Sequence, residues 1–214
     1  TALGFKLENG MRSLYEGIAS DIRGTIELDR PVAAVREDDD GVTLCFEDGS
    51  DAHFDAVIVT VPTAALRGMS FTPPLTDGQA ALVLEGSASS GVKAWIKVRG
   101  QHRVSLTAPS QHPLTVARTE YVGDDWSILV GFGPDSTAID LTSVKSAQAA
   151  LDVWNLGLEV TDVTGHDWMG DKWSRQTWAT PKLGQFIGGK PHFQDRDGRL
   201  RFAGSDWAKG WTGV

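Results

Sequence analysis

Lys93 opens the alternating stretch SASSGVKAWIKVRG, and Trp178 sits in DKWSRQTWATPKLGQF just ahead of Thr180, Pro181 and Gly184. An ammonium at the start of a strand, beside a run of small residues that leaves space, can donate to a water or a ring nitrogen. An indole on a path turned by Pro and Gly makes a flat apolar wall for a neutral or cationic organic group, and a cation over its face gains about 0.5–2 kcal/mol. The plainer account of the lysines is that Lys93, Trp95 and Lys97 form the wet face of a strand whose other face is Ala94, Ile96 and Val98. A third segment, FAGSDW at 202–207, runs from a strand into Gly204, Ser205 and Asp206. Gly after a strand lets backbone N–H groups approach a phosphate, and Ser and Asp cap a following helix, although such a segment can be only a turn.

The chain holds eight Trp against two Tyr, and Trp168, Trp173 and Trp178 recur every fifth residue. That interval scatters side chains around a helix and alternates them across a strand, so one regular element cannot gather all three. An irregular path is expected, with each indole capping a different part of the core or, for Trp178, facing a planar ligand. Other chemistries lack their residues. GxGxxG and GxxxxGK[ST] are absent from the sequence, and the five histidines show neither metal-ligand spacing nor a Ser-His-Asp pattern. The single cysteine, Cys45, lies in the alternating VTLCFED and reads as a small core residue.

The elements that must position these residues are legible in outline. Leu14, Ile18 and Ile22 recur at helical spacing, followed by strands joined by Asp-Gly bends at 40–41 and 48–49, with Asp38–Asp40 as a solvated hairpin tip. AVIVTVP is a continuous apolar run, as expected of a strand buried on both faces in a parallel or mixed sheet. Composition changes at Phe71, where a Pro-Pro connection precedes the Lys93 strand, and this marks the expected domain boundary. Further strands are predicted in PLTVARTEY, WSILVGFG and LEVTDVTGHDW, and a helix near 144–154 presents Val144, Ala147, Leu151 and Trp154 on one face. The fold class is α+β or α/β, a mixed sheet flanked by helices. A formal charge of −8 repels nucleic acid and anionic membranes, and the sequence has neither a run of about 18 apolar residues nor a signal peptide, so a soluble cytoplasmic protein is expected. Position 1 is Thr, and the last strand and turn stop where a helix could begin, which predicts a piece of a longer polypeptide.

Six segments in order, NGMRSLYEGIA, RPVAAV, DAVIVTVP with FTPPL, GVKAWIKVRG, WATPKLGQF and GRLRFAGSDWAKGWTGV, give the chain a resemblance along nearly its whole length. The chain resembles the C-terminal portion of the flavin-dependent, monoamine oxidase-like amine oxidases, and most closely their bacterial 6-hydroxynicotine oxidase-like branch. The resemblance implies a two-domain flavoprotein, with residues 1–70 and 186–214 in the FAD-binding domain and 71–185 forming the substrate domain. It places Val32 at the adenine end of FAD, and Gly204, Ser205, Asp206 and Trp211 along the rest of the cofactor. Lys93 matches the lysine that holds a water against flavin N5, and Trp178 matches one wall of an aromatic cage. Val214 follows Trp-Thr-Gly where the family usually has the second aromatic wall, which implies a one-sided cage suited to a bulkier substrate. The implied reaction is oxidation of a small amine to an imine, with hydride transfer to flavin N5 and reoxidation by O₂. The Rossmann segment that grips the FAD pyrophosphate lies N-terminal to this stretch in the family, so the chain by itself is not expected to retain FAD. Two alternatives stand beside this expectation: a cofactor-free binding or regulatory fragment, and a subunit that completes a flavin site with a separate Rossmann-bearing chain. A homo-oligomer is compatible with all of these.

Overall fold

The computed structural model describes residues 6–188, 193 and 198–210, and among these the strands form three sheets. Helix α1 (Gly10–Asp21) comes first, followed by strands β1 (Val32–Glu37), β2 (Val42–Phe46) and β3 (Asp51–Phe54), which pair antiparallel in sequence. The acidic tip between β1 and β2 is a turn closed by Asp38, whose Oδ1 accepts the N–H groups of Asp40 and Gly41. Strand β4 (Val57–Val59) leads into a short 3-10 helix at 65–68, and β5 (Ser70–Thr72) returns to pair parallel with β1.

Helix α2 (Asp77–Glu85) has no counterpart in the sequence-based reading, which carried the segment as a connection. Its signal was present as a capping box: Thr76 Oγ1 accepts the Gln79 N–H, and the Gln79 side chain accepts the Thr76 N–H. Leu82 and Val83 of this helix are buried with Val35, Val42, Val59, Leu66, Phe193, Leu200 and Trp207. Packing therefore joins α2 to the first half of the chain, beyond the compositional change at Phe71.

Strands β6 (Val92–Arg99), β7 (Ser105–Thr107), β8 (Val116–Val122), β9 (Trp126–Gly133) and, after helix α3 (Val144–Asp152), β10 (Val160–Gly165) make a five-stranded antiparallel sheet in the order β10-β6-β9-β8-β7. The period-two pattern of β6 works as expected: Val92, Ala94, Ile96 and Val98 are buried against Ala147, Ala150 and Leu151 of α3, while Lys93, Trp95, Lys97 and Arg99 take the other face. Ser143 caps α3 by accepting the Ser146 N–H. Val144 is exposed rather than core-facing because it stands in the first turn of the helix, and Trp154 packs on the core from beyond the helix end.

After the single-turn helix α4 (Gln185–Gly188), strand β11 (Leu200–Phe202) pairs parallel with β4. This corrects the expectation that β4 is buried on both faces: Val59 is buried, but Ile58 is 65% exposed. Among the described residues β4 has β11 as its sheet partner, so the apolar character of the strand exceeds the cover it receives. Helix α1 shows the same imbalance, since it buries none of its residues although Met11, Leu14, Tyr15 and Ile18 are apolar. Cys45 is half-buried on β2.

Candidate functional site

Trp178 is carried by an irregular path, as its spacing from Trp168 and Trp173 requires. Asp171 shapes the start of that path: Oδ1 accepts the Trp173 N–H at 2.8 Å and Oδ2 meets His166 Nε2 at 2.7 Å. The Trp173 amide first, and the imidazole next, hold the Asp171 carboxyl below the usual carboxylate range. Arg175 then adopts φ 55°, a left-handed conformation uncommon for a residue with a Cβ, and the chain turns so that Gln176 is buried.

The next residues fasten the indole. Thr177 Oγ1 accepts the Gly91 N–H at 3.1 Å and shares a 2.6 Å hydrogen bond with Ser89 Oγ. Ser87 Oγ donates to the carbonyls of Trp178 and Thr180, and the Ala88 N–H also donates to Thr180. The SASSG run, expected only to leave room beside Lys93, is thus a hydroxyl-rich strap that holds the Trp178 segment against the start of β6. Gly91 is required by close approach: a Cβ there would lie 2.5 Å from Trp178 Cζ3 and 2.6 Å from the Gly133 carbonyl oxygen.

Register brings in a residue that sequence reasoning missed. Phe132 of β9 stands directly opposite Lys93 of β6. Its ring centroid is 6.3 Å from that of Trp178, at 45°, and 5.8 Å from Lys93 Nζ, which also lies 4.9 Å from the Trp95 ring. Lys93 and Trp178 therefore share Phe132 as a neighbour, on the sheet face turned away from α3. Trp178 is 39% exposed, leaving part of the indole free for contact. The same face carries Lys97 over Trp126 at 5.4 Å and Lys6 over Tyr121 at 4.9 Å. Glu120 anchors Lys6 at 2.6 Å, and this ammonium, helped by Arg118 and Lys93, keeps the Glu120 carboxyl below its ordinary range. WSILVGFG identifies Phe132 as a strand residue, but nothing local gives its partner across the sheet.

The residues expected at a cofactor group around the parallel pair. Ala203 N–H donates to the Val59 carbonyl, after which Gly204 adopts φ 117° and ψ −179°, a conformation open only to glycine, and leads into the short helix Ser205–Trp207. Ligands in open α/β sheets bind beyond the carboxyl ends of parallel strands, and Gly204, Ser205 and Asp206 occupy that position here. Asp206 is held by Gln176, whose Nε2 donates to its two carboxylate oxygens at 2.9 and 3.1 Å. Val32 lines an apolar cavity of about 440 Å³ with Pro31, Val35, Leu44 and Val57–Pro62, closed on one side by Lys172, Trp173 and Arg175. Trp173 is 54% exposed and Trp168 46% exposed, which corrects the expectation that each caps a core. Trp173 instead lies under the Lys172 ammonium at 4.0 Å, and Trp168 packs edge-on against His166. Trp211 and Val214 lie outside the described residues.

An apolar cavity beside Val32 and an open glycine turn beyond a parallel strand suit the apolar and phosphate-bearing parts of a flavin nucleotide. The fold also has solved counterparts. A triple mutant of putrescine oxidase, redesigned for cofactor binding, superposes with a TM-score of 0.79 at 19% identity, over 96% of this chain and 49% of that one. Cyclohexylamine oxidase from Brevibacterium oxydans IH-35A gives 0.67 at 18%, over 86% and 44%. The fold is the one that these two oxidases share. Residues 3–214 match the model of the flavin containing amine oxidoreductases, and the chain belongs to that family. Its sequence relatives include a pseudooxynicotine dehydrogenase of Pseudomonas sp, 33% identical over 98% of this chain and 43% of the relative. The (S)-6-hydroxynicotine oxidase of Paenarthrobacter nicotinovorans is 28% identical over 92% and 46%. The chain spans less than half the length of each of these relatives. No helix among the described residues is long and apolar enough to cross a membrane.

Proposed function

We propose that the polypeptide to which this chain belongs oxidises a C–N bond of a small amine to the imine with FAD as cofactor. The observation that carries the proposal is the placement of Lys93 and Trp178 against one ring, Phe132. In this reading residues 1–70 and 186–214 belong to the flavin-binding domain, α2 is added to it because it packs with them, and the substrate domain begins near Gly86 rather than at Phe71. Relatives more than twice as long, the exposed Ile58 on β4 and the exposed Met11, Leu14, Tyr15 and Ile18 of α1 support a Rossmann-bearing segment of the same polypeptide as the neighbour that covers them.

FAD, when bound, would supply a two-electron acceptor that O₂ can reoxidise. The protein does the rest by position. Trp178 and Phe132 offer flat apolar surfaces that hold the substrate and exclude water, and the strap from Ser87, Ser89 and Thr177 keeps the indole from drifting. An amine entering this apolar surface pays to stay protonated, and the nearby Lys93 ammonium adds like-charge repulsion, so the neutral amine is favoured. That form can lose a hydride equivalent from carbon and a proton from nitrogen, leaving an imine that water hydrolyses. Lys93 holds a water by donating to it and stabilises negative charge that develops during reoxidation. Relatives named for nicotine, pseudooxynicotine and 6-hydroxynicotine point to an amine carrying a pyridine-type ring, which matches the stacking surface of Trp178 and Phe132.

The test is anaerobic mixing of the full-length protein with such an amine, following loss of flavin absorbance. Trp178→Ala is expected to lower kcat/KM by roughly tenfold or more while FAD stays bound. An unchanged kcat/KM removes Trp178 from the site, and flavin-free protein removes the oxidase assignment.

A further inference from the structure

Gln176 is 5% exposed, and all of its polar side-chain atoms have partners on other segments. Oε1 accepts the Ala64 N–H at 3.1 Å, in the loop that leaves β4. Nε2 donates to both oxygens of Asp206, in the turn that leaves β11. One buried amide therefore bridges the exits of the two parallel strands, where ligands of open α/β sheets bind. The next residue, Thr177, bonds the backbone at the start of the Lys93 strand, and the one after it is Trp178. Three consecutive side chains tie together the cofactor-side turn, the lysine strand and the aromatic wall.

We infer that Gln176 is a positioning residue that sets the Asp206 turn against the Lys93 and Trp178 site through its amide. The inference rests on the proposed flavin site and adds to it a residue that contacts neither substrate nor ring. An amide suits the place because it accepts from one exit loop and donates to the other. A carboxylate of the same shape can still accept from the Ala64 N–H but has no hydrogen to give, and its second oxygen faces the Asp206 carboxylate.

The pairing is testable by charge exchange in the full-length protein. Gln176→Glu keeps the volume, so a residue that merely fills space tolerates it. The clamp predicts that Gln176→Glu weakens FAD binding by about tenfold and lowers the melting temperature of the flavin-free protein. In an Asp206→Asn background, where the new side-chain amide can donate to the introduced carboxylate, the same substitution is expected to change FAD affinity by less than about twofold and to leave melting in place. Equal effects in the two backgrounds overturn the inference. So does coupling seen in melting with no coupling in FAD affinity, because the pair is then only structural. Wild-type protein that binds no FAD defeats the proposed function, and the clamp with it. FAD bound equally by wild type and Gln176→Glu defeats the clamp alone.

Discussion

Gly91 shows how little freedom single positions have around Trp178. A methyl group there meets the indole at 2.5 Å and the Gly133 carbonyl oxygen at 2.6 Å, and the carbonyl sits in a paired strand that cannot yield easily. Gly91→Ala is expected to cost about 1–3 kcal/mol and to alter tryptophan fluorescence, since the displaced ring leaves Phe132. Unchanged melting and emission would show that the indole does not press on β6. Glu120 makes a second, electrostatic prediction. Its carboxyl is held low by Lys6, so its contribution to stability is present above the ordinary value of 4.5 and fades as pH falls through the lower folded value. Glu120→Gln should lower the melting temperature at neutral pH and lose less on acidification below about pH 4 than the parent. Parallel melting-versus-pH curves for the two proteins would contradict that assignment.

At the scale of elements, what could be read from sequence depended on whether the signal was local. The β6 alternation was legible because burial on one face writes a period of two into the chain, and Lys93 fell on the predicted face. Leu129 of β9 is fully buried in the same core, and Leu129→Ala should destabilise by about 2–5 kcal/mol in a denaturant titration, a loss below about 1 kcal/mol arguing against the packing described. The cap of α2 is equally local, but the Pro-Pro entry and Gly78 give the segment the composition of a linker. Thr76→Ala is expected to cost about 1 kcal/mol, and an unchanged melting temperature would show that the box adds nothing. Phe132, Gln176 and the serine strap were not legible, since each acts across separations that only the register of β6 with β9 and the fold of the 166–180 path define. The three tryptophans were rightly expected on an irregular path, yet spacing alone could not say that Trp168 and Trp173 would be half exposed.

At the scale of the molecule, two features remain out of balance: a parallel pair, β4 with β11, with Ile58 exposed, and a helix α1 that buries none of its residues. Both belong to the part of the chain assigned to the flavin domain, and both are explained if the remaining length of the relatives supplies further strands and cover. The chain prepared alone is then expected to show no flavin absorbance, and to gain it, with a higher melting temperature, when expressed with the preceding segment. Tight FAD binding by the chain alone would refute this division of labour. The central claim is that Lys93 and Trp178 enclose a place where an amine meets a flavin and the flavin later meets O₂. Its most direct test is rapid mixing of pre-reduced, full-length Lys93→Met enzyme with O₂. The account predicts reoxidation slowed by about tenfold or more with amine-driven reduction little changed, whereas reoxidation at the wild-type rate would contradict it.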